Sequence, residues 1–117
     1  MLGWGVIAGI ANRKEKNPNS GEALRNGTQS LIASLQKEND AMEVDKGPSD
    51  FTVAGLPALS TYLHNDSPAG GTETDWLVTV IGPQGLYYYV FVSPESDFPR
   101  FKPAFENIVN SVQFQTK

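Results

Sequence analysis

Residues 74–93 read TDWLVTVIGPQGLYYYVFVS, two runs of β-branched and aromatic residues on either side of a Gly82-Pro83-Gln84-Gly85 turn. These residue types favour β-strands, and a proline between glycines favours a tight reversal of the chain. The stretch therefore predicts an antiparallel β-hairpin.

Neither strand of this hairpin alternates between apolar and polar side chains. One face would carry Trp76, Val78 and Val80, and the other would carry Leu77, Thr79 and Ile81. An antiparallel sheet with one face in water is polar at every second position. We therefore expect an α+β fold, in which helices cover both faces of an antiparallel β-sheet.

The chain has 117 residues, 39% of them hydrophobic and 19% charged, which predicts one α+β domain spanning residues 1–117. The net charge is −4 and the nine Lys and Arg residues are scattered, so no nucleic-acid partner is expected. The absence of cysteine excludes disulfides, thiolate metal ligands and cysteine nucleophiles, but it does not indicate a compartment.

The first eleven residues, MLGWGVIAGIA, are almost entirely apolar. A membrane span needs about 20 such residues, so no membrane insertion is expected. A signal peptide carries its positive charge before the apolar core, whereas Arg13 and Lys14 follow it here. The stretch is interpreted as a buried β-strand, and a chain that starts inside a strand suggests a fragment of a larger protein.

Two amphipathic helices are predicted from apolar side chains that recur every three or four residues. The first spans 21–39, with Ser20 as its N-cap; its stripe consists of Leu24, Thr28, Leu31, Ile32 and Leu35. Gly27 lies near that stripe, which suggests close contact with the sheet. The second helix is expected over 103–111, after a separate turn that contains Pro99, because Pro103 is unfavourable inside a helix.

The segments between these elements are less regular. Residues 40–50 are interpreted as a connector with a short strand near 42–45. Residues 51–65 form a strand region interrupted at Gly55-Leu56-Pro57, beyond which 58–64 can pair with 76–81. Residues 65–74, NDSPAGGTET, are predicted to be a surface loop.

No pattern in the chain indicates catalysis. His64 is the single histidine, and neither HExxH nor GxSxG occurs, so no catalytic residue, metal site or cofactor is predicted. A weaker alternative is a calcium site formed by Asp66, Glu73 and Asp75, which lack the ordered spacing of a calcium loop.

The candidate binding residues are aromatic side chains with polar tips, which suit ligand contact, and polar residues of the 65–74 loop. They are Trp4, Asn65, Asp66, Glu73, Tyr87 and Tyr89. The alternative for the aromatic residues is that they fill the core of a sheet covered on both faces.

Four segments carry a family resemblance: VAGLPA at 53–58, TDWLVTV at 74–80, GLYYYVFV at 85–92, and residues 105–112. Together they resemble the PsbP-like module at the C-terminus of some exported bacterial zinc metallopeptidases and peptidase-like proteins with tetratricopeptide repeats. The resemblance implies a sheet between helical layers, one or two further strands before Trp4, and a periplasmic or extracellular location. The catalytic motif of those peptidases has no counterpart here, so no active-site residue is carried over.

Three hypotheses follow for the function. The first is a non-catalytic binding or scaffolding module of an exported bacterial protein, whose partner is another protein or other domains of its parent chain. The second is a small hydrolase or lyase that uses His64 with Asp66 or Asp75. The third is self-association, in which residues 4–11 form an unprotected sheet edge that pairs with a second copy as a homodimer.

Overall fold

The structure is a computed structural model that describes residues 5–11, 21–66, 70–82 and 85–112. Its elements, in chain order, are β1 (Gly5–Ala11), α1 (Gly21–Glu38), β2 (Glu43–Val53), β3 (Leu56–Asp66), β4 (Thr72–Gly82), β5 (Gly85–Pro94), a short 3₁₀ helix (Glu95–Asp97) and α2 (Phe98–Asn110). The strands form one antiparallel sheet in the order β1-β5-β4-β3-β2. The predicted α+β class is confirmed.

The β4–β5 hairpin is the centre of the sheet. Its pairing runs from Glu73 opposite Pro94 to Gly82 opposite Gly85, as the sequence predicts. The two residues between those glycines lie outside the described ranges.

Both rows of the hairpin are buried, which confirms the expectation drawn from its missing alternation. Trp76 packs in one cluster with Phe91 and with Phe105 of α2. Leu77 packs on the opposite face, in a cluster with Leu63 and with Ile32 of α1. The sheet therefore has an α1 side and an α2 side, and each is sealed over the central strands.

Helix α1 follows the predicted stripe. Leu24, Thr28 and Ile32 are buried. A Cβ added to Gly27 would lie 3.1 Å from the Leu86 side chain, so the helix does approach the sheet closely there. The predicted N-cap, Ser20, lies outside the described residues. In the part of the chain that is described, neither helix is long and apolar enough to cross a membrane.

Helix α2 begins at Phe98, so the prediction of a helix starting at Pro103 is wrong. Pro99 occupies the first turn, where the missing N–H has no intrahelical partner anyway. Pro103 does remove one hydrogen bond. Burial of Phe98 and Phe105 against the sheet offsets that loss, because each large aromatic side chain contributes roughly 2–3 kcal/mol when fully buried.

Two segments predicted to be connectors belong largely to strands. β2 pairs with β3 along its length, with register shifts on both sides of Lys46, and a two-residue turn at Ala54 and Gly55 joins them. Positive φ at both turn residues fits a tight hairpin. Likewise β3 reaches Asp66 and β4 begins at Thr72, so the predicted 65–74 loop is shorter. Strand pairing across the sheet, which local sequence does not reveal, extends these strands.

The prediction that β1 is a buried strand is wrong. Val6, Ile7 and Ile10 expose 38%, 59% and 47% of their surface. β1 is an edge strand with a neighbour on one side only, and none of the described apolar clusters includes any of its residues. Its apolar residues are therefore not part of the hydrophobic core in the described ranges.

Candidate functional site

Among the residues that the structure describes, the outer edge of β1 is the feature best suited to an interaction. The inner side of this strand pairs with β5 along all seven residues, from Gly5 opposite Val92 to Ala11 opposite Leu86. In the described ranges no strand pairs with its outer side. Every second residue of an edge strand points its N–H and C=O outward, where they can template another strand.

The side chains of β1 are apolar on both faces of the sheet. Val6 and Ile10 lie opposite Phe91 and Tyr87, which places them on the α2 side. Ile7 lies opposite Val90, on the α1 side. An incoming strand would therefore meet apolar neighbours above and below its backbone.

Two of the predicted binding residues lie on β5, one strand in from this edge. Tyr87 and Tyr89 of β5 are half-buried on the α2 side, opposite Ile10 and Ala8 respectively. Burial, and secondarily the neighbouring Tyr87, raises the pKa of Tyr89, so its hydroxyl stays protonated and able to donate. Trp4, the third predicted aromatic residue, lies outside the described residues.

On the α1 side, one tyrosine ring lies directly against the backbone of β1. Gly9 lies opposite Tyr88, and a Cβ at Gly9 would come within 2.6 Å of the Tyr88 Cζ. The ring of Tyr88 therefore crosses β1 at this glycine. Ile7, next along that face, remains the most exposed of the large apolar side chains in the described ranges.

The opposite edge of the sheet has a different character. β2 presents exposed charged side chains at Glu43, Asp45, Lys46 and Asp50. Its ladder is irregular around Lys46, and Pro48 there has no N–H to donate. Charges, proline and bulges keep edge strands from pairing with other strands. β2 has these features and is called the guarded edge below, whereas Gly5–Ala11 of β1 has none of them.

The predicted polar binding residues do not form one surface with the tyrosines. Asn65 and Glu73 face each other across β3 and β4, and the Asn65 Nδ2 donates to Asn39 Oδ1 at 3.3 Å. Asp66, one residue further on, points to the opposite face. Since Glu73 and Asp75 share a face, Asp66 is separated from both. In the described ranges, no three His, Asp or Glu side chains are arranged to hold a metal ion.

Asp75 is a buried carboxyl group on the α1 side, with only 2% of its surface exposed. Loss of solvation, together with the hydrogen bond and negative charge of Glu73, raises the pKa of Asp75 to about 8. One of its oxygens, Oδ1, has no hydrogen-bond partner. The group is therefore mainly neutral at pH 7 and forms a hydrogen bond with Glu73.

His64 lies on the α2 side of β3, so the structure does not bring it together with Asp75, which faces α1. Its partners are instead on β2: Nδ1 lies 2.5 Å from Asp45 Oδ1, and Nε2 lies 3.6 Å from Glu43 Oε1. The hydrogen bond to Asp45 and the nearby acidic charges, including that of Glu95, raise the pKa of His64. This arrangement ties an edge strand to its neighbour.

An open groove of about 340 Å³ lies between the first turns of α1 and the β2–β3 hairpin. Its floor includes Leu24 and Leu59, and its rim carries Arg25 and Asp50. Opposite charges on one rim do not select the charge of a ligand, so the groove indicates no substrate class.

Comparisons with known proteins give a fold and no family. No family model matches the chain, and no curated protein matches it. A solved structure that is similar is that of PA94 from Pseudomonas aeruginosa, described as a protein of unknown function and candidate regulator. It has a TM-score of 0.68 and 11% identity, and the match covers 100% of this chain and 86% of that chain. At this identity the likeness shows a shared fold.

Sequence reasoning missed two parts of the site. It interpreted the apolar residues of β1 as buried, although self-association through that strand was one of its hypotheses. It also missed the partners of His64. The alternation of acidic residues at Glu43 and Asp45 was a usable signal, because alternate residues of a strand lie on one face.

Proposed function

We propose that this chain is a non-catalytic binding or scaffolding module that accepts another polypeptide strand along the outer edge of β1. The observation that supports this most is the contrast between the two edges. β1 combines outward backbone groups with exposed Val6, Ile7 and Ile10, whereas β2 is charged and irregular. Strand addition uses main-chain hydrogen bonds for affinity and flanking side chains for selectivity.

The resemblance to the PsbP-like module of exported bacterial proteins belongs to this proposal. A sheet with α1 on one side and α2 on the other is compatible with that module. A periplasmic or extracellular location follows from the resemblance alone. In such a setting the strand would come from another protein or from another domain of the parent chain.

A probe peptide tests strand addition directly. The peptide Lys-Val-Thr-Val-Thr-Val-Lys is extended, soluble and unrelated to this chain, and a copy with its central valine replaced by proline is the matched control. We expect amide chemical shifts of isotope-labelled protein to move along β1 and near Tyr87 and Tyr89, only with the first peptide. Shifts that map elsewhere, or none at millimolar peptide, would contradict the proposal.

Protein variants provide the second arm of this test. Ile7→Lys and Ile10→Lys add charge at exposed residues that belong to none of the described clusters, so both should weaken peptide binding at least tenfold. Val44→Lys is the matched control, because Val44 is an exposed apolar residue on the other edge strand. Equal loss of binding in Val44→Lys would show that the effect is not specific to β1.

A second candidate function is a small hydrolase or lyase in which His64 acts with Asp45, since a carboxylate does lie within hydrogen-bond reach of the imidazole. The surrounding acidic groups favour the protonated ring, which suits a general acid better than a base. Turnover of ester, peptide or phosphate panels that is lost in His64→Gln would support this function and contradict the first.

A further inference from the structure

We infer that the strand accepted by β1 is β1 of a second copy, paired antiparallel about a two-fold axis that passes beside Ala8. This inference rests on the proposed function, because it names the occupant of the same edge.

Symmetry restricts how two copies of β1 can pair. Alternate residues of the strand direct their backbone groups to β5 and to the outside, and both members of a pair must belong to the same alternate set. In an antiparallel pairing of identical strands, this condition holds only when the axis passes beside a residue rather than between two residues. The register centred on Ala8 is the one that pairs all seven residues, Gly5–Ala11.

The side chains fit this register. Val6 would lie opposite Ile10 of the second copy on the α2 side, and Ile7 would lie opposite Gly9 on the α1 side. Cross-strand pairs of β-branched residues stabilise sheets. At the axis a residue faces its own copy, and Ala8 there brings neither bulk nor charge. None of the seven residues is charged, so no like charges would be opposed.

The guarded edge explains why such pairing would stop at two copies. Each copy contributes β1 once, and the outer edges of the joined sheet would then be two β2 strands with their charges and Pro48. A contact that uses the same surface on both partners closes upon itself. Stable interfaces bury about 800 Å² per partner, and a single strand edge buries less, so we expect a dimer that forms only at high concentration.

The absence of cysteine makes the register directly measurable. Ala8→Cys should cross-link to itself under mild oxidation or with a short bis-thiol reagent. Val6→Cys alone should not, because its two copies would lie about 13 Å apart along the strands; mixed with Ile10→Cys it should form the mixed dimer. Val44→Cys, on the other edge, is the control for random collision. All four positions are exposed, so circular dichroism should show native folding in each variant.

We expect cross-linking of Ala8→Cys at least tenfold faster than that of Val6→Cys or Val44→Cys, together with light scattering that rises towards a dimer with concentration. The inference is overturned if Ala8→Cys reacts no faster than Val44→Cys, or if Val6→Cys alone reacts fastest. Slow hydrogen exchange of outward β1 amides in the dilute monomer would also overturn it, because another segment of the chain would then occupy the edge. If the probe peptide binds but Ala8→Cys does not cross-link, only the dimer is contradicted and the proposed strand addition stands. If neither peptide binding nor cross-linking is seen, both proposals are contradicted.

Discussion

Nδ1 of His64 lies 2.5 Å from Oδ1 of Asp45, a hydrogen bond that joins the C-terminal part of β3 to the edge strand β2. Glu43 stands on the other side of the imidazole, and Glu95 adds negative charge from the 3₁₀ helix. A positively charged ring is therefore favoured in the folded protein. The β2 edge of the sheet is therefore held to β3 by a hydrogen bond whose strength depends on the protonation of His64.

The first prediction concerns the pH dependence of this bond. The pKa of His64 is raised, chiefly by its hydrogen bond to Asp45, so its contribution to stability is full below the unfolded pKa of 6.5 and is lost as pH rises through the higher folded value. Urea unfolding should show a midpoint that falls between about pH 5.5 and pH 8, in the range where histidine titrates. His64→Gln should make that fall smaller and leave the part that Asp75 contributes. An identical pH profile in wild type and variant would contradict the assignment.

Asp75 gives the second prediction, with a larger effect. Below its unfolded pKa of 3.8 both states are protonated; above that value the unfolded carboxyl ionises while the folded one stays neutral up to about pH 8. The stability contributed by the neutral group is therefore lost progressively between these values. Asp75→Asn keeps a neutral side chain that can donate to Glu73, so it should raise the free energy of unfolding at pH 7 by about 1–3 kcal/mol.

The control for this prediction is Asp66→Asn. Asp66 is exposed at the end of β3, so its replacement should change stability by no more than about 0.5 kcal/mol. Denaturant unfolding of both variants at several pH values measures the difference. A less stable Asp75→Asn variant at neutral pH would show that the ionised carboxylate is satisfied in the folded protein.

The third prediction compares two glycines with positive φ. A Cβ at Gly47 (φ 96°) would lie 2.5 Å from the Ser60 carbonyl oxygen, which is backbone and cannot move freely. Gly55 (φ 77°) has nothing within 4 Å. Gly55→Ala should cost about 1 kcal/mol from its backbone conformation alone. Gly47→Ala should cost clearly more, about 3 kcal/mol or above, because strain and overlap add.

The measurement is thermal and chemical unfolding of the two alanine variants side by side. Because both substitutions add the same methyl group at the same kind of φ, their difference reports the close backbone contacts at Gly47, of which the one with Ser60 is the shortest. Equal destabilisation would mean that β2 can shift away from β3 at this point.

The central hairpin could be predicted from sequence because its residues carry the signal themselves. Trp76, Val78 and Val80 lie on one face of β4, and the residues between them, on the other face, are also mostly apolar. Both faces must therefore be buried, whatever the order of the strands. The exposure of β1 could not be predicted in this way, although an unprotected edge over residues 4–11 was one of the hypotheses. Apolar composition shows that a strand avoids water, but it does not distinguish burial by its own helices from burial by another strand.

The partners of His64 were missed for a related reason, although the alternation of Glu43 and Asp45 was a usable signal. Asp45 is 19 residues away, and the two residues meet only because β2 extends past Pro48 and pairs with β3 through two shifts in register. A proline and a glycine in that segment locally favour a connector, and the long-range ladder overrides this preference. Pro103 inside α2 is a similar case, where packing of Phe105 outweighs one lost hydrogen bond.

The last prediction concerns the hydroxyl pair between α1 and the sheet. Thr28 Oγ1 and Thr79 Oγ1 lie 2.7 Å apart, and both residues are fully buried. Replacing one threonine with valine keeps the shape but leaves the other hydroxyl without this partner, so Thr28→Val and Thr79→Val should each cost about 1–2 kcal/mol. The double variant should cost less than the sum of the two single variants, because neither unsatisfied group remains. A double-mutant cycle by urea unfolding measures this coupling, and strict additivity would show that the two hydroxyl groups do not depend on each other.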